Sequence, residues 1–221
     1  MPEALVFDVN ETLLNLAALD PRFERAFGDS SIRQQWFAQV LQTALVATVT
    51  DRYADFGTIA AAALDMTASR HAVSLAAAER AAILGGILTL PPHAEVPASL
   101  ARLRDAGFRL ATLTNSTAVV AEAQLAHAGL IDYFDRVLSV EAVRQFKPAP
   151  ETYRMAAREL GVEATALRLI AAHDWDVAGA IRAGWAAAFV ARPGMVLSPL
   201  SERPDIVGRD LREVADQILG E

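Results

Sequence analysis

The residue whose position most directly suggests chemistry is Asp8, a carboxylate that follows a short apolar segment. The segment Ala4–Phe7 carries no polar or charged residue, a pattern typical of a buried strand. Because open α/β sheets bind their ligands at the carboxyl ends of the strands, Asp8 is placed where a substrate would arrive. A carboxylate in that position is a candidate nucleophile, although Asp also stabilises turns and has that structural role as the alternative.

Further polar residues lie at, or close to, the ends of other predicted strands. Thr114 and Asn115 follow the second strand, Lys147 lies just before a predicted helix, and the fourth strand leads towards His173. The candidate site residues are Asp8, Asn10, Thr12, Thr114, Asn115, Lys147, Tyr153, His173, Trp175 and Asp176. Each has an ordinary alternative as a turn residue, a helix cap, a core residue or a solvated charge, so the prediction rests on their joint occurrence.

The alternation of apolar and amphipathic segments predicts the elements that bring these residues together. After the first strand, the predicted strands are Phe108–Leu113, Arg136–Ser139, Leu167–Ala171 and Ala187–Ala191. The helices before, between and after these strands are predicted at Val96–Ala106, Val119–Ala128, Glu151–Leu160, Trp175–Ala183 and Asp210–Leu219. Strands that alternate with helices through short links are typical of an α/β fold with a doubly wound parallel sheet, whose strand ends face one crevice.

The segment between the first and second strands is predicted to be helical. Apolar residues recur at helical spacing in Ile32–Val49, Asp55–Arg70 and Leu75–Leu88, without a strand pattern between them. Such a segment is most simply an insertion at the carboxyl edge of the sheet. The sequence therefore predicts an α/β core domain formed by residues 1–14 and 93–221, and an all-helical cap domain, residues 15–92, over Asp8.

The composition narrows the classes of function. The chain of 221 residues has a formal net charge of −7, which disfavours a nucleic-acid partner. It contains no Cys, so disulfides, thiolate metal sites and a Cys nucleophile are excluded. No segment is apolar over a membrane-spanning length, and the first strand follows the amino terminus without a signal-like segment. We therefore expect a cytoplasmic protein without a membrane or nucleic-acid partner.

The sequence resembles the haloacid dehalogenase superfamily nearly from end to end, and most closely its L-2-haloacid dehalogenase branch. The motifs that carry the resemblance are Phe7-Asp8-x-x-x-Thr12-Leu13, Leu113-Thr114-Asn115-Ser116, Lys147-Pro148 with Tyr153, and Trp175-Asp176 followed by Ala178-Gly179-Ala180. The pair Arg52-Tyr53 and the segment from His127 to Asp135 also match. The resemblance implies a Rossmann-like core with a helical cap, and a hydrolase that forms an ester on its aspartate nucleophile.

The resemblance also implies how the first group of residues acts. Asp8 attacks the carbon that carries the leaving group, and water then hydrolyses the resulting ester. Thr12, Thr114 and Asn115 hold the Asp8 carboxylate and the substrate carboxylate through hydrogen bonds. No cofactor takes part in this scheme, and the expected partner is a small-molecule carboxylate substrate.

The remaining residues are expected to tune or line the site. Lys147 keeps Asp8 ionised, because a neighbouring positive charge lowers the pKa of a carboxyl group. Asp176 orients Lys147 or the hydrolytic water, and Trp175 forms an apolar wall near the leaving group. Three further residues are expected to contact the substrate: Asn10, Tyr153 and His173.

Metal-dependent phosphatases of the same superfamily are the main competing interpretation. They use a second Asp two residues after the nucleophile, where this chain has Asn10, and an Asp that holds Mg²⁺, where it has Ala172. An amide cannot exchange a proton as a carboxyl group does, and the Ala side chain offers no oxygen to a hard cation. Asp174 is the nearest carboxylate that could substitute for the Mg²⁺-binding Asp, but it lies two residues from that position. We therefore predict a site that works without a metal.

The chain also departs from the dehalogenase pattern around the leaving group. Asn10 stands in place of a Tyr, and Ala171 and His173 stand in place of a Ser and an Asn. An Arg expected five residues before the Arg52-Tyr53 pair falls on Ala47, which lacks the guanidinium that binds anions. We expect His173 to take over part of that role, or to act as the base on the water that cleaves the ester.

Three hypotheses about function follow. The first is hydrolytic dehalogenation of a short 2-haloacid, or a related small carboxylate, through an Asp8 ester and without a metal. The second is a Mg²⁺-dependent phosphatase of a small phosphomonoester, which Asn10 and Ala172 disfavour. The third is a catalytically silent binding protein that keeps the crevice but not the chemistry. The sequence leaves open whether the chain forms a homodimer.

Overall fold

A parallel β-sheet forms the centre of the molecule in the computed structural model, which describes residues 2–221. Within these residues the strands are β1 (Ala4–Phe7), β2 (Arg109–Thr114), β3 (Arg136–Ser139), β4 (Leu167–Ala171), β5 (Ala186–Val190) and β6 (Ile206–Gly208). Their order is β3-β2-β1-β4-β5-β6, and every neighbouring pair is parallel. The predicted α/β fold with a doubly wound parallel sheet is confirmed.

Helices cover the sheet and form the insertion after β1. In residues 2–221 they are α1 (Asp20–Phe27), α2 (Ile32–Val49), α3 (Phe56–Arg70), α4 (Ala77–Gly86), α5 (Val96–Asp105), α6 (Ala118–His127), α7 (Pro150–Leu160), α8 (Asp174–Arg182) and α9 (Leu211–Leu219). Short 3₁₀ turns link several of them. Within the same residues we find no helix whose length and hydropathy would suit a membrane-spanning segment.

The predicted elements differ from the observed ones mainly at their ends. β3 and β4 have the predicted bounds, whereas β2 begins and ends one residue later than expected. Two elements were not predicted, α1 and the edge strand β6. β6 has three residues and alternates in burial, which is too short a segment to give a strand pattern in sequence.

The strand order reverses beside β1, and this reversal creates the crevice. β1 pairs with β2 on one side and with β4 on the other, and all four of its residues are fully buried. The pairing extends one residue further, because Asp8 N donates a hydrogen bond to Ile170 O at 3.1 Å. Residues that follow β1 and β4 therefore face each other at the point where open α/β sheets bind ligands.

The insertion between β1 and β2 leaves and re-enters the core at one place. Leu14 forms an isolated bridge with Pro92, and Asn15 N donates to Pro91 O at 2.8 Å. Helices α1 to α4 lie between these points, and Trp36 Nε1 of α2 donates to Ala60 O of α3 at 3.0 Å. We propose on this basis that residues 15–92 form the cap domain and that residues 1–14 with 93–221 form the core.

Candidate active site

Asp8 is held by three donors at the end of β1. Lys147 Nζ lies 2.9 Å from Asp8 Oδ1, while Thr12 Oγ1 lies 2.7 Å and His173 Nδ1 lies 3.1 Å from Asp8 Oδ2. The carboxylate is only 5% exposed. Four of the predicted site residues are thus brought into direct contact, although they come from three distant parts of the chain.

Thr12 fastens the loop after β1 to the end of β4. Its hydroxyl donates to Asp8 and accepts a hydrogen bond from Ala172 N at 2.9 Å. The carbonyl of Thr12 accepts from Arg192 Nη2 at 2.8 Å, which fixes the same loop from the other side. A hydroxyl can accept and donate at once, so Thr fits this position better than an acceptor-only carboxylate would.

Lys147 lies entirely inside the protein and is shared by several acceptors. Besides Asp8, its ammonium donates to Asp176 Oδ2 at 2.6 Å and to Leu113 O at 2.8 Å. Tyr153 OH donates to the other oxygen, Asp176 Oδ1, at 2.6 Å. The predicted role of Asp176 in orienting Lys147 agrees with this geometry, and the alternative in which Lys147 is a solvated charge does not.

The expectation that Tyr153 contacts the substrate is wrong for its position in this structure. Tyr153 is fully buried behind Asp176, and its ring packs edge-on against Trp185 at 5.7 Å between centroids. Its hydroxyl is occupied by Asp176 and cannot reach the crevice. Tyr153 instead holds Asp176, which in turn holds Lys147.

The charged groups around Asp8 shift one another's pKa values. Burial alone raises the pKa of Asp8, but the charge of Lys147 and the bonds from His173 and Thr12 outweigh it and hold the pKa well below its usual range. Burial lowers the pKa of Lys147, and the carboxylates of Asp176 and Asp8 reverse this, so the net pKa is raised. Asp8 is therefore ionised and Lys147 protonated at neutral pH.

The pKa of Asp176 is shifted in the opposite direction from that of Asp8. Burial raises its pKa, Lys147 opposes the increase and the charge of Asp8 adds to it, so that its pKa lies above the ordinary value. Two carboxylates around one ammonium cannot both be fully compensated, and the more deeply enclosed one holds its proton more tightly.

His173 bridges Asp8 to Glu11, a residue that was not predicted to belong to the site. His173 Nε2 lies 2.9 Å from Glu11 Oε2. Burial lowers the pKa of His173, but the hydrogen bonds to Asp8 and Glu11 raise it to about 10. Beside an ionised Asp8 the imidazole is then a cation with both nitrogens donating, which agrees with the predicted anion-binding role. The alternative role of His173, as base on the water that cleaves the ester, stays a prediction.

Two aromatic rings lie against His173. Trp175 stacks on it at 4.9 Å between ring centroids, and Phe37 of the inserted helix α2 lies 6.3 Å away. The predicted apolar role of Trp175 agrees with this contact. These rings exclude water from the imidazole and strengthen its interaction with the two carboxylates.

Thr114 and Asn115 do not hold Asp8, contrary to expectation. Thr114 Oγ1 accepts from Ser116 N at 3.2 Å, and Asn115 Oδ1 accepts from Lys147 N at 3.0 Å. Within the described part of the chain neither side chain bonds the Asp8 carboxylate, and the oxygen of each accepts from a backbone amide instead. Asn115 still borders the crevice, so its contact with a substrate stays a prediction.

Asn10 belongs to a second polar group, with Ser116 and Gln124. Asn10 Nδ2 donates to Ser116 Oγ at 3.3 Å, and Gln124 Nε2 donates to Asn10 Oδ1 at 3.0 Å and to Ile87 O at 2.9 Å. Gln124 was missed from the sequence, because a Gln inside a helical segment looks like a solvated residue. Its full burial and its bond to the inserted segment become visible only in the fold.

Two cavities are lined by residues of α2, and Phe37 borders the first of them. The first, of ≈ 200 Å³, is lined mainly by apolar residues together with Asn10 and Ser116. The second, of ≈ 280 Å³, is more open, and its lining includes Leu41, Asn115, Lys147 and Trp175. Both therefore border residues of the groups around Asp8: the first touches Asn10, and the second touches Lys147.

The expectation that Ala47 points towards the leaving group is wrong. The residue of α2 that covers His173 is Phe37, and ten residues of helix separate it from Ala47, about 15 Å along the axis. Ala47 lines neither of the two cavities, and its carbonyl accepts Arg52 N at 2.8 Å near the end of the helix. The Arg52-Tyr53 pair follows the carboxyl end of α2, so a position counted five residues back from it falls near that end and not over the site.

Comparisons with known proteins agree with this site and fold. A family model of haloacid dehalogenase-like hydrolases matches residues 2–184. The (S)-2-haloacid dehalogenase of Pseudomonas sp. (strain YL) is 30% identical over 216 residues, covering 97% of this chain and 93% of that enzyme. The (S)-2-haloacid dehalogenase of Xanthobacter autotrophicus is 32% identical over 194 residues, covering 87% of this chain and 76% of that enzyme.

A comparison with a solved structure supports the same family. The L-2-haloacid dehalogenase from Xanthobacter autotrophicus, with chloropropionic acid covalently bound, matches with a TM-score of 0.92 and 28% sequence identity, covering 100% of this chain and 99% of that chain. The chain belongs to the haloacid dehalogenase-like hydrolases. Its relatives and its fold place it in the L-2-haloacid dehalogenase branch, as the sequence motifs predicted.

Proposed function

We propose that this hydrolase removes the halide from a short 2-haloacid through an ester on Asp8. The observation that carries the proposal is the Asp8 carboxylate itself, which is ionised, desolvated and fixed by Lys147, Thr12 and His173 at the crevice. Related enzymes are named for (S)-2-haloacids, so that enantiomer is the first substrate to test.

The first half-reaction is an in-line displacement. An Asp8 oxygen donates an electron pair to the carbon at position 2, the carbon–halogen bond breaks, and the halide leaves with the bonding electrons. The cations Lys147 and His173 balance the charge of Asp8 and present positive charge towards the departing anion. Preorganised charges of this kind are worth more in a closed site than in water.

The second half-reaction releases the product. Water adds to the carboxyl carbon of the Asp8 ester, and the ester bond breaks so that the former Asp8 oxygen leaves with the substrate. One proton of the water ends on the new hydroxyl of the 2-hydroxyacid, and the other is released to solvent. The Asp8 carboxylate is restored with one oxygen from water.

Substitution of Asp8 by Asn tests the proposal, because the amide is too poor a nucleophile to carry the ester cycle. We expect Asp8→Asn to abolish halide release from (S)-2-chloropropionate, while Asp105→Asn, an exposed carboxylate on α5, keeps the wild-type rate. Circular dichroism checks that both variants fold. A folded Asp8→Asn protein with the wild-type rate would remove the nucleophile assignment.

Isotope labelling distinguishes the ester from direct attack by water. In a single turnover in H₂¹⁸O, the product hydroxyl is expected to carry ¹⁶O from Asp8, and the label is expected in the Asp8 carboxylate. Label in the product of the first turnover would show that water attacks the substrate directly.

Two positions support this proposal over the phosphatase alternative. Asn10, at the position of the phosphatase acid, is bound to Ser116 and Gln124 and cannot exchange a proton as a carboxyl group does, and the Ala172 side chain has no oxygen for Mg²⁺. We predict that halide release survives exhaustive chelation and that phosphate release from small phosphomonoesters is not gained with Mg²⁺. Strict Mg²⁺ dependence would favour the phosphatase, and neither activity would favour the silent binding protein. A cytoplasmic location and a homodimer stay predictions.

A further inference from the structure

The contact between Glu11 and His173 has no counterpart in the motifs that identify the family. One imidazole nitrogen lies 3.1 Å from Asp8 Oδ2, and the other lies 2.9 Å from Glu11 Oε2. The ring is 5% exposed and is enclosed by Phe37 and Trp175. An ionised carboxylate only accepts hydrogen bonds, so the ring satisfies both neighbours when both of its nitrogens carry protons.

The backbone of Glu11 shows that its side chain is placed at a conformational cost. Glu11 has φ +65°, a left-handed conformation that Gly adopts freely and Glu rarely. Glu11 N donates to Leu14 O at 2.9 Å, and His93 Nε2 lies 3.1 Å from Glu11 O, so the conformation is fixed on both sides. A residue held in such a conformation beside an active site points to a function for its side chain.

The hydrogen bonds to Asp8 are unequally distributed between its two oxygens. Within the described residues, Oδ2 accepts from Thr12 and His173, whereas Oδ1 accepts from Lys147 alone. Each carboxylate oxygen has two lone pairs, so Oδ1 retains one that can attack a substrate. The occupancy of Oδ2 therefore decides which oxygen acts as the nucleophile.

We propose that Glu11 is a positioning residue that keeps His173 doubly protonated, so that Asp8 attacks through Oδ1 while Oδ2 stays bound to an imidazolium N–H. The catalytic part of this inference rests on the proposed function. Once the ester has formed through Oδ1, Oδ2 is its carbonyl oxygen. The negative charge that develops on Oδ2 when water adds is then stabilised by Thr12 O–H and His173 N–H.

The charges around the imidazole support this protonation state. Asp8 and Glu11 face it directly, and the cations that oppose them are already shared with other acids. Lys147 is bound to Asp176 as well as to Asp8, while Arg33 of α2 pairs with Asp20 and has Nη1 only 3.6 Å from Glu11 Oε1. Burial lowers the pKa of His173, and the two carboxylate contacts reverse this and raise it to about 10.

The test uses NMR of the imidazole ring in the folded protein, which requires no turnover. Uniform ¹⁵N-His labelling reports the protonation of both ring nitrogens between pH 5 and 10, and a His173→Asn variant assigns the signal among the four His residues. Glu11→Gln removes the charge and keeps the size of the side chain. Glu122→Gln on α6 is the matched control, because it makes the same chemical change at a solvent-exposed position.

We expect both nitrogens of His173 to be protonated up to at least about pH 9 in the wild type and in Glu122→Gln. In Glu11→Gln the pH at the midpoint of the His173 titration is expected to fall by one unit or more. Halide release in this variant should then decrease about tenfold per pH unit above the lowered midpoint, since the protonated ring is the active form. Glu11→Asp, which keeps the charge on a shorter side chain, should restore most of the wild-type profile.

Titration of wild-type His173 near its ordinary pKa, or identical imidazole spectra in Glu11→Gln and Glu122→Gln, would overturn the inference. If Glu11→Gln fails to fold, Glu11→Asp and the wild-type titration still decide it. A confirmed NMR result in a protein that releases no halide would leave the Glu11–His173 assignment intact and reject the proposed function instead.

Discussion

Lys147 links two carboxylates and a backbone carbonyl inside the protein, so its removal has two separable effects. The side chain is fully buried, and Asp8 and Asp176 lie 2.9 Å and 2.6 Å from its nitrogen. Removing one partner of a buried ionic group typically costs about 3 to 5 kcal/mol, because a charge is left without compensation. Its catalytic contribution is additional, since it balances the nucleophile.

Lys147→Met is expected to lower the free energy of unfolding by about 3 to 5 kcal/mol and halide release by at least about tenfold. Adding Asp176→Asn to this variant should recover part of the stability and none of the rate, because it removes the uncompensated charge but not the missing cation. Urea unfolding and initial rates measure the two effects, with Arg154→Met at an exposed position of α7 as control. Recovery of the rate in the double variant would contradict the role of Lys147.

Helix α2 supplies the cover of the site, and one residue carries the contact. Phe37 is 7% exposed, lies against the His173 ring and lines the ≈ 200 Å³ cavity. Neighbouring positions on the same helix, Leu41 and Ala44, line the second cavity next to Lys147. The inserted segment therefore shapes the space above Asp8, although its own side chains do not bond the nucleophile.

Phe37→Ala is expected to raise KM and lower kcat, because water then reaches the imidazole and weakens its charged contacts. Truncation of a buried Phe also typically costs about 3 to 5 kcal/mol of stability. Phe37→Leu keeps an apolar cover and serves as the matched variant with smaller effects. Steady-state kinetics and urea unfolding of both variants provide the measurement. A folded Phe37→Ala enzyme with wild-type kinetics would show that the cover has no catalytic role.

The parts of the site that could be predicted are those fixed by a strand end. Asp8 and Thr12 follow β1, and the Lys147 and Asp176 positions lie in motifs of fixed local spacing. Glu11 and Gln124 could not be predicted, because their roles depend on partners more than 100 residues away. The position of the expected Arg was wrongly assigned to Ala47, because the spacing from Arg52-Tyr53 does not show which turn of α2 lies over the crevice.

At the scale of the whole molecule, the crevice concentrates charge without leaving it in solvent. Three acids and two cations meet where β1 and β4 end: Asp8, Glu11, Asp176, Lys147 and His173. Each of them depends on the folded sheet for its partners. The stability of the fold therefore depends on pH through the same groups that carry the proposed chemistry.

Stability is expected to fall as the pH rises from about 6.5 towards 10. The pKa of His173 is raised in the folded state from 6.5 to about 10, so its stabilisation is complete below pH 6.5 and is lost as the pH rises through the folded value. The slope approaches about 1.4 kcal/mol per pH unit. Asp8, whose pKa is lowered from 3.8, adds a loss as the pH falls below that value.

Urea unfolding at pH 5, 6, 7, 8 and 9 measures this dependence. His173→Gln should flatten the decrease above pH 6.5, whereas His127→Gln, at an exposed position at the end of α6, should leave it unchanged. A wild-type protein that is equally stable at pH 6 and pH 9 would contradict the assigned charge state.

Because Lys147 is buried, its chemical reactivity can report when the structure around it opens. Lys147 is the only lysine in the sequence, and every other basic side chain that is always charged is an arginine. Amine-directed reagents such as succinimidyl esters therefore find, apart from the amino terminus, a single target that is enclosed in the folded state. The rate at which Lys147 is acylated measures how often the structure around it opens, without any engineered label. A substrate that holds the site closed would slow this acylation.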